Sequence, residues 1–325
     1  MSAPAPDVVV TEDVWDEPLQ KLATELAIDR RPDAWRTPEL LPEILTGARA
    51  VVVRNRTRVT ADLLAACPDL QVVARGGVGL DNIDVDAANE LGVVVVAPLG
   101  ANAISVAEHT IGLALALARQ TVPLDRASRA GQWDRRAGRE LSGRTWGLLG
   151  AGATGRACAR AAAALGMRVV AYDPYVAPDH PEVSKLGIRL VGLAELAAEA
   201  DVLSCHLPAT PETIGLIDAA FLGAMRPDAL LISVGRGEVV DEEALADALA
   251  AGRLGGAGLD VRATEPPARG RLEEFDNVIL TPHIAGITVE SQRRIIGILA
   301  AEIGTILGGG LARYAVGSHN RPGRS

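Results

Sequence analysis

The stretch that most constrains this chain is residues 145–173, which read TWGLLGAGATGRACARAAAALGMRVVAYD. An apolar run leads into a glycine-rich turn, an alanine-rich helical segment stops at Gly166, and a second apolar run ends on Asp173. The turn carries three glycines in the spacing G-x-G-x-x-G, at Gly150, Gly152 and Gly155. A strand, a turn, a helix, a strand and an acid follow one another in the order that a dinucleotide site requires.

Each part of this stretch has a physical role in such a site. The first glycine permits the tight turn, the second lets the backbone approach a pyrophosphate, and the third lets helix pack on strand. The free N–H groups and the dipole of the helix N-terminus favour the phosphate charge. Asp173 is placed to accept hydrogen bonds from ribose hydroxyls, and no arginine stands beside it to bind a 2′-phosphate. A glycine turn alone also occurs in ordinary βα connections, but the agreement of all five parts predicts NAD as the cofactor.

The composition limits the class of protein. The 325 residues can hold two domains of ordinary size, and a net charge of −9 argues against a nucleic-acid surface. Cys67, Cys158 and Cys205 are widely spaced, which predicts neither a metal site nor a disulfide framework and favours a reducing compartment. The N-terminus lacks the pattern of a secretion signal, and the apolar helix candidate Ile111 to Ala118 is too short to cross a bilayer. We therefore expect a cytoplasmic protein that binds neither nucleic acid nor membrane.

The first hundred residues alternate apolar runs with helix-like segments. The predicted strands are Val8–Val10, Ala50–Val53, Gln71–Ala74 and Val93–Val96. Continuous apolar strands are usually buried on both faces, as in a parallel sheet. This predicts an open parallel α/β domain, in which ligands lie beyond the carboxyl ends of the strands.

Those strand ends carry groups that suit a small anion such as a carboxylate. A guanidinium, a glycine-rich loop with exposed N–H groups and an amide can all bind one. The arginines 54, 56 and 58 can equally be solvated surface, whereas the loop 76–79, directly after a strand, favours the anion site. The predicted substrate-binding residues of this region are Arg54, Arg75, Gly77, Val78, Gly79 and Asn102.

Beyond Asp173 the alternation of strand and helix continues. The predicted strands are Ile188–Val191, Val202–His206, Leu230–Val234, Gly256–Asp260 and Val278–Leu280, and the predicted helices are Glu195–Glu199, Glu212–Phe221 and Asp241–Ala251. A final helix from Thr288 to Leu307 is expected to return to the first domain and leave a cleft between the two, and the tail after Gly308 is expected to fray. The chain thus divides into a substrate domain, residues 1–101 with 287–325, and a dinucleotide-binding domain, residues 102–286. Both are predicted to be α/β domains with doubly wound parallel sheets.

Three strand ends of the second domain carry the candidate catalytic groups. Arg236 stands between two glycines, where it can approach a carboxylate closely. His283 lies in a turn fixed by Pro282, and imidazole has an ordinary pKa of ~6.5 that suits proton transfer at neutral pH. Glu265 is the candidate partner that would orient the ring and stabilise its charged form.

The other histidines have simpler explanations. His180 and His319 lie in polar segments and are expected to be solvated, and His109 on a helix is expected to be packed or hydrogen bonded. His206 ends a strand and can line a cofactor pocket without taking part in chemistry. Because no cluster has metal-ligand spacing, no metal is predicted.

The chain resembles the D-isomer-specific 2-hydroxyacid dehydrogenase family, and its phosphoglycerate dehydrogenase-type members most. The resemblance rests on seven motifs in the family's order: RGGVGLDNID (75–84), NAISVAEHT (102–110), GAGATGR (150–156), YDPY (172–175), GRGEVVDEEAL (235–245), GLDV with EP (258–266) and TPHIAGIT (281–288). It implies a Rossmann domain inserted into a flavodoxin-like substrate domain, and a catalytic set of Arg236, Glu265 and His283. It also implies a homodimer and cofactor contacts at Val78, Ala153, Thr154, Asp173, Leu207, Val234, Gly235, Asp260 and Gly286.

The resemblance implies reversible hydride transfer between NAD(H) and a small D-2-hydroxy or 2-keto acid, with 3-phosphoglycerate as one candidate. Hydroxypyruvate, glyoxylate or a sulfonated acid such as sulfolactate is the alternative, and an NADH-sensing regulatory protein is a different class of function. Two residues depart from the family pattern: Ser233 replaces an asparagine of many relatives, and Val78 replaces a hydroxyl residue of some. Because the sequence continues only briefly after its last helix, regulation through a C-terminal domain is not expected.

Overall fold

Short valine-rich runs form the first sheet of the computed structural model, which describes residues 5–177 and 179–317. The strands are β1 (Val8–Val10), β2 (Ile28–Arg30), β3 (Ala50–Val53), β4 (Val72–Arg75), β5 (Val94–Val96), β6 (Thr145–Leu149), β7 (Arg168–Tyr172), β8 (Arg189–Leu190), β9 (Val202–Cys205), β10 (Leu230–Ser233), β11 (Gly256–Leu259), β12 (Val278–Leu280) and β13 (Ala315–Val316). The helices are α1 (Glu17–Leu22), α2 (Leu41–Ile44), α3 (Ala61–Ala66), α4 (Val85–Glu90), α5 (Ala103–Ala118), α6 (Thr121–Arg129), α7 (Ala153–Ala164), α8 (Pro181–Lys185), α9 (Leu193–Glu199), α10 (Ala219–Ala224), α11 (Glu242–Ala250) and α12 (Val289–Leu307). Short 3-10 turns occur at Ala34–Arg36, Pro38–Leu40, Gly237–Val239 and Leu272–Glu274.

The chain divides into two compact units, and the first unit contains residues from both ends of the sequence. Residues up to Asn102 and from Ile287 onward form the first unit, and Ala103–Gly286 form the second. The first sheet has the order β13-β5-β4-β3-β1-β2, in which β1 to β5 are parallel and β13 pairs antiparallel with β5. The parallel part has the strand order of a flavodoxin-like doubly wound sheet.

Both faces of β1, β3, β4 and β5 are buried, which explains why these strands are almost wholly apolar. Val9, Val51 and Val73 pack on one face with the short helices α2 and α3. Val8, Val52 and Val72 pack on the other face, where α12 contributes Ile295, Leu299, Ile303 and Ile306. Thr288 caps α12 in a reciprocal pair with Ser291, which fixes the start of the helix.

The second unit contains a wholly parallel sheet with the order β12-β11-β10-β9-β6-β7-β8. This is the order of a Rossmann sheet, with the reversal between β6 and β9, and ligands bind beyond the strand ends at such a reversal. Alternate residues of β6 enter opposite cores: Trp146 and Leu148 pack with α5 and α7, and Leu149 packs with α9 to α11. Among the described residues, no helix is long and apolar enough to cross a membrane.

Most predicted strands agree with the structure to within one or two residues, but two local predictions were wrong and one strand was missed. The predicted helix Glu212–Phe221 is replaced by a hydrogen-bonded turn up to Gly215, which has a φ of +66°, and by the later helix α10. The helix begins late because the side chain of Asp218 accepts a hydrogen bond from the N–H of Phe221 and caps it there. Strand β2 was not predicted, and part of the tail expected to fray is the ordered strand β13. His319 lies outside the described residues.

Candidate active site

The glycine turn after β6 has the geometry that close approach of a phosphate group needs. Gly150 has a φ of +100°, which side chains rarely adopt, and a Cβ at Gly155 would lie 2.1 Å from the carbonyl oxygen of Gly150. Gly152 is the N-cap of α7, and in the described chain a Cβ there would meet nothing within 4 Å. The N–H groups of Ala153 and Thr154 follow at the start of this twelve-residue helix. Open space in front of a glycine-capped helix N-terminus fits a pyrophosphate.

Asp173 closes the same turn from the neighbouring strand. One oxygen of its carboxylate accepts a hydrogen bond from the N–H of Ala151 at 2.8 Å, and the other accepts from the N–H of Tyr175 at 2.9 Å. A carboxylate oxygen can accept more than one hydrogen bond, so these contacts leave capacity for a ribose hydroxyl. The residues present therefore fit an NAD molecule held by the turn and by Asp173.

The ends of β9 and β10 complete this side of the second unit. A Cβ at Gly150 would lie 3.1 Å from the Cδ2 atom of Leu207, so the glycine turn and the segment after β9 are in contact. The N–H of Val234 donates to the carbonyl of Cys205, and Nη1 of Arg236 donates to the carbonyl of Gly235 at 2.9 Å. Of the residues predicted for the cofactor, the structure thus brings Leu207 and the glycine turn together in one region. Their contacts with NAD remain predictions.

His206 is held in a hydrogen-bonded group beneath the glycine turn. Its Nε2 lies 2.9 Å from Oγ of Ser204, which also accepts a hydrogen bond from Nε1 of Trp146 at 2.8 Å. Burial lowers the pKa of His206 to about 4, so the ring is neutral at physiological pH. A neutral, partly buried imidazole fits a packing role.

The pair of His283 and Glu265 is the clearest chemical arrangement in the second unit. Nδ1 of His283 lies 2.7 Å from Oε2 of Glu265, and the two side chains are 46% and 38% exposed. Because an ionised carboxylate can only accept, the ring donates from Nδ1 and presents Nε2 for other chemistry. The structure therefore brings together two of the three predicted catalytic residues, in a pairing that can hold or release a proton.

The turn that carries His283 is strained and is held by a buried acid. His283 has a φ of +54°, a conformation uncommon for residues other than glycine. Asp260 is only 1% exposed, and its carboxylate accepts hydrogen bonds from Oγ1 of Thr281 at 2.6 Å and from the N–H groups of Ile284 and Ala285 at 2.9 and 2.8 Å. The N–H of His283 donates to the carbonyl of the same Asp260 at 2.8 Å. Asp260 thus fixes the turn from inside, and its predicted contact with the cofactor remains a prediction.

The remaining histidines of the second unit have structural contacts. Nε2 of His109 lies 3.0 Å from Oγ1 of Thr281, which agrees with the expectation of a hydrogen-bonded helix residue. His180 was expected to be solvated, but it is partly buried and its Nδ1 accepts a hydrogen bond from the N–H of Glu182 at the start of α8. Among the described residues, no group of three or more His, Cys, Asp or Glu side chains could hold a metal ion.

In the first unit, the glycine loop after β4 is shaped by its own arginine. Arg75 is 8% exposed, and its Nε donates to the carbonyl of Gly79 at 2.7 Å. A Cβ at Gly77 would lie 2.5 Å from Nη1 of Arg75, so the loop folds tightly over the guanidinium. Arg75 therefore holds the predicted anion-binding loop in shape through its contacts with Gly77 and Gly79. Direct contact of Arg75 with a substrate remains a prediction.

Arg54 and Asn102 are the other predicted substrate residues of the first unit. Nη1 of Arg54 donates to the backbone carbonyl of Asp13 at 3.0 Å. A pocket of about 400 Å³ opens beside it, with Trp15, Ile287 and Gln292 among its lining residues. Asn102 is 9% exposed, and within the described chain its buried Oδ1 has no hydrogen-bond partner.

The sequence analysis missed the residues that hold the catalytic pair in place. Glu242 and Thr281 lie within motifs quoted above, and Arg262 lies between two of them, but neither these residues nor Glu273 were given a role, because their partners lie 11 to 21 residues away in sequence. The departure at Ser233 is visible in the structure: its Oγ is buried and has no hydrogen-bond partner among the described residues. A longer asparagine side chain at this position could reach groups that the serine does not.

Comparisons with known proteins agree with this geometry. A family model described as "D-isomer specific 2-hydroxyacid dehydrogenase, NAD binding domain" matches residues 111–285, which confirms the predicted cofactor class. The D-3-phosphoglycerate dehydrogenase of Mycobacterium leprae is 46% identical over 265 residues, which are 81% of this chain and 49% of that protein. The chain therefore spans about half the length of that relative. The hydroxypyruvate reductase of Thermotoga maritima is 39% identical over 289 residues, which are 86% of this chain and 93% of that protein.

A solved structure confirms the predicted fold class. The TT0316 protein from Thermus thermophilus superposes with a TM-score of 0.88 at 33% identity, and the match covers 95% of this chain and 99% of that one. The geometry and the comparisons agree. The geometry consists of the glycine turn with its acid and the hydrogen bond between His283 and Glu265. The comparisons consist of the match of residues 111–285 and the similarity over most of the chain. This chain belongs to the D-isomer specific 2-hydroxyacid dehydrogenase family.

Proposed function

We propose that this chain catalyses reversible hydride transfer between NAD(H) and a small, anionic D-2-hydroxy or 2-keto acid. The observation that carries the proposal is the hydrogen bond of 2.7 Å between Nδ1 of His283 and Glu265 in the unit that contains the NAD-binding domain. Hydride transfer to a keto acid needs a proton donor for the carbonyl oxygen, and the reverse reaction needs a base for the hydroxyl. The paired imidazole can serve both directions.

In reduction, His283 would donate the proton on Nε2 to the carbonyl oxygen as it becomes a hydroxyl. Glu265 accepts the hydrogen bond from Nδ1, so it would fix the ring orientation and stabilise the positive charge that the ring carries before donation. In oxidation, the neutral ring would take the hydroxyl proton back at Nε2. Bound NAD(H) would supply or accept the hydride.

Arg236 would bind the carboxylate of the acid and polarise the reacting carbonyl. Arg236 follows Gly235 in the segment just after β10. Arginine can bind a carboxylate through two parallel hydrogen bonds. For the first unit, we keep the prediction that the backbone N–H groups of Val78 and Gly79 bind a carboxylate. The tight folding of that loop over Arg75 supports it.

The glycine turn and the N-terminus of α7 would hold the pyrophosphate, and Asp173 would bind the ribose. The contacts predicted for Val78, Leu207, Val234, Gly235, Asp260 and Gly286 belong to the same proposal. A negative charge at Asp173 would repel a 2′-phosphate, so we expect NADH to be strongly preferred over NADPH. Equal kcat/KM values with the two cofactors would contradict this assignment.

The direct test of the mechanism is His283→Ala. We expect kcat for keto-acid reduction to fall by at least roughly 100-fold, because general acid catalysis contributes about that much or more. NADH binding, measured by fluorescence titration, should persist because the glycine turn is unchanged. Wild-type turnover in this variant would remove His283 from the mechanism.

The substrate is a separate proposal, with 3-phosphoglycerate and its keto acid as one candidate and hydroxypyruvate, glyoxylate or a sulfonated acid such as sulfolactate as the alternative. Arg54 lines an open pocket with Trp15, and its cation could bind a distal phosphate. Rates should be compared across these acids for the wild type and for Arg54→Ala. If the phosphate assignment is right, the variant should raise KM for the phosphorylated acid alone. No substrate-dependent change would remove that assignment.

A regulatory NADH-binding protein would give a different result in the same assays. It would bind NADH tightly and turn over none of these acids, which would overturn the enzymatic proposal.

We also propose a homodimer, supported by the exposure of Trp133, which is 87% exposed in the segment after α6. Light scattering with size-exclusion chromatography tests this. The three buried free thiols support a reducing, cytoplasmic location, which fractionation of the source cells tests.

A further inference from the structure

Arg262 is an arginine buried to an unusual degree for a cation outside the proposed catalytic set. It lies two positions after Asp260, in the segment that leads from β11 to Glu265, and it is only 9% exposed. Charged side chains are rarely buried this far unless they are paired. The partners of its guanidinium therefore indicate why the side chain is buried.

The guanidinium of Arg262 binds two glutamates from different segments. Its Nε and Nη2 donate to the two oxygens of Glu242 at 3.0 and 2.8 Å, and its Nη1 donates to Oε1 of Glu273 at 2.7 Å. Glu242 is the first residue of α11, and Glu273 lies in the 3-10 turn that precedes β12. A single side chain thus joins the segment after β11 to two other segments of the second unit.

Each of the two glutamates also accepts a hydrogen bond from a backbone N–H group. Oε1 of Glu242 also accepts from the N–H of Ala263 at 2.9 Å, and Oε2 of Glu273 accepts from the N–H of Gly270 at 2.9 Å. Burial alone would raise the pKa of Glu242, but the hydrogen bonds from Arg262 and Ala263 outweigh it, so the pKa lies below its ordinary value. All three side chains are therefore charged at neutral pH and held in fixed geometry.

The backbone of Arg262 contacts Glu265 and also Gly237, the residue that follows Arg236. Its N–H donates to Oε1 of Glu265 at 3.1 Å, while the other oxygen of Glu265 accepts from His283. On the opposite side, a Cβ at Gly237 would lie 1.9 Å from the carbonyl carbon of Arg262, so the residue after Arg236 packs directly on this backbone. A shift of the Arg262 backbone would therefore move Glu265 and the neighbour of Arg236 together.

We propose that Arg262 is a positioning residue for hydride transfer: by binding Glu242 and Glu273 it fixes the backbone whose N–H group orients Glu265 on His283. The inference rests on the proposed function, since it assigns a role within that same catalytic set. Displacement of a catalytic group by about 1 Å can lower a rate roughly 100-fold. The side chain of Arg262 needs no contact with the acid or the cofactor to have this effect.

Arg262→Lys is the sharpest variant, because it keeps the positive charge and removes the planar fork that binds Glu242 through two hydrogen bonds. We expect kcat for keto-acid reduction to fall roughly 10- to 100-fold while the Kd for NADH stays within about twofold. Glu242→Gln should have a similar effect, because it removes the charge that holds the guanidinium. Glu273→Gln should have a smaller effect, because the pairing with Glu242 and the contact to Ala263 remain.

The division between kcat and KM separates positioning from simple stabilisation. A displaced Glu265 acts on the proton-transfer step, so in Arg262→Lys the fall should be in kcat, while the KM for NADH stays within about twofold. The matched control is Arg189→Lys, which also alters an arginine bound to two glutamates, Glu195 and Glu199, at the surface of the same unit. It should leave kcat and the KM for NADH unchanged.

An NMR spectrum of the His283 ring reports on the geometry independently of turnover. The signal of the Nδ1–H proton, which is hydrogen bonded to Glu265, should move upfield in Arg262→Lys relative to the wild type, because a longer hydrogen bond deshields this proton less. An unchanged signal together with an unchanged kcat, even if the melting temperature falls, would overturn the positioning role and leave a stabilising ion cluster. If the wild type turns over no acid, the proposed function fails, and the NMR comparison still decides whether Arg262 orients Glu265 on His283.

Discussion

Replacing Gly155 with alanine tests the packing of the glycine turn against α7, and Gly152→Ala is its matched control. A Cβ at position 155 would lie 2.1 Å from the carbonyl oxygen of Gly150, whereas ordinary van der Waals contact begins at 3.4 Å. The obstructing atom belongs to the backbone of the turn and cannot rotate away as a side chain would. At position 152, the added methyl group meets nothing within 4 Å in the described chain, and the φ of −67° is ordinary for any residue.

The two substitutions should therefore act on different properties. Overpacking typically costs about 1–3 kcal/mol, and the fixed backbone contact places Gly155→Ala at the upper end, near 3 kcal/mol. For a domain of this size, that corresponds to a fall in melting temperature of roughly 6–12 °C. Gly152→Ala should change the free energy of unfolding by no more than about 0.5 kcal/mol, since the loss of an N-cap glycine and the stiffer unfolded chain act in opposite directions. It should instead weaken NADH binding, because the methyl group occupies the space in front of the helix N-terminus.

The assay is guanidinium-induced unfolding of both variants, followed by fluorescence titration with NADH. A stability of Gly155→Ala within about 0.5 kcal/mol of the wild type, which is comparable to the measurement error, would refute the packing argument. Equal destabilisation by both variants would refute it as well. Unchanged NADH affinity in Gly152→Ala would contradict the proposed location of the pyrophosphate.

Buried polar groups of the second unit give three further predictions. Ser233→Ala should leave the free energy of unfolding unchanged or raise it by up to about 1 kcal/mol, because its buried hydroxyl has no partner among the described residues; a loss in urea unfolding would show that the hydroxyl is bonded. Asp260→Asn should lower the free energy of unfolding by about 2–3 kcal/mol and reduce kcat, because an amide NH₂ would face groups that now donate to the carboxylate; an unchanged urea midpoint would contradict this. Because burial holds the pKa of His206 at about 4, below the ordinary 6.5, the unfolded chain binds the proton first and stability should fall by about 3 kcal/mol between pH 6.5 and pH 4. His206→Gln should flatten that part of the stability curve, and an unchanged slope would show that another group is responsible.

The features that sequence reasoning predicted well are those with a local signal. The valine runs of the first unit are buried on both faces, so their composition alone marks them as strands. The spacing of the glycine turn is set by contacts between residues close in sequence, as the approach of Gly155 to Gly150 shows. The pairing of Glu265 with His283 was also predicted, because both follow strands whose carboxyl ends lie at one edge of the sheet.

The features that were missed depend on contacts distant in sequence. Arg262 meets Glu242 and Glu273 only after three segments have folded, so no spacing in the sequence predicts the cluster. Strand β13 consists of two residues whose extended structure depends on pairing with β5. The predicted helix from Glu212 failed because a capping aspartate and a glycine with positive φ moved the start of the helix, which apolar spacing does not show.

The first unit is built from both ends of the chain, and this affects how it folds during synthesis on the ribosome. One face of its sheet is covered by α12, which packs with Leu19 and Leu22 of α1, and its edge is completed by β13. Until those last elements leave the exit tunnel, valine side chains of β1, β3 and β4 lack their cover. The second unit, in contrast, is continuous in sequence and can complete its core first. The early strands must therefore wait, with apolar surface exposed, while about 180 later residues are translated and folded, and this interval is when the nascent chain depends most on protection from aggregation.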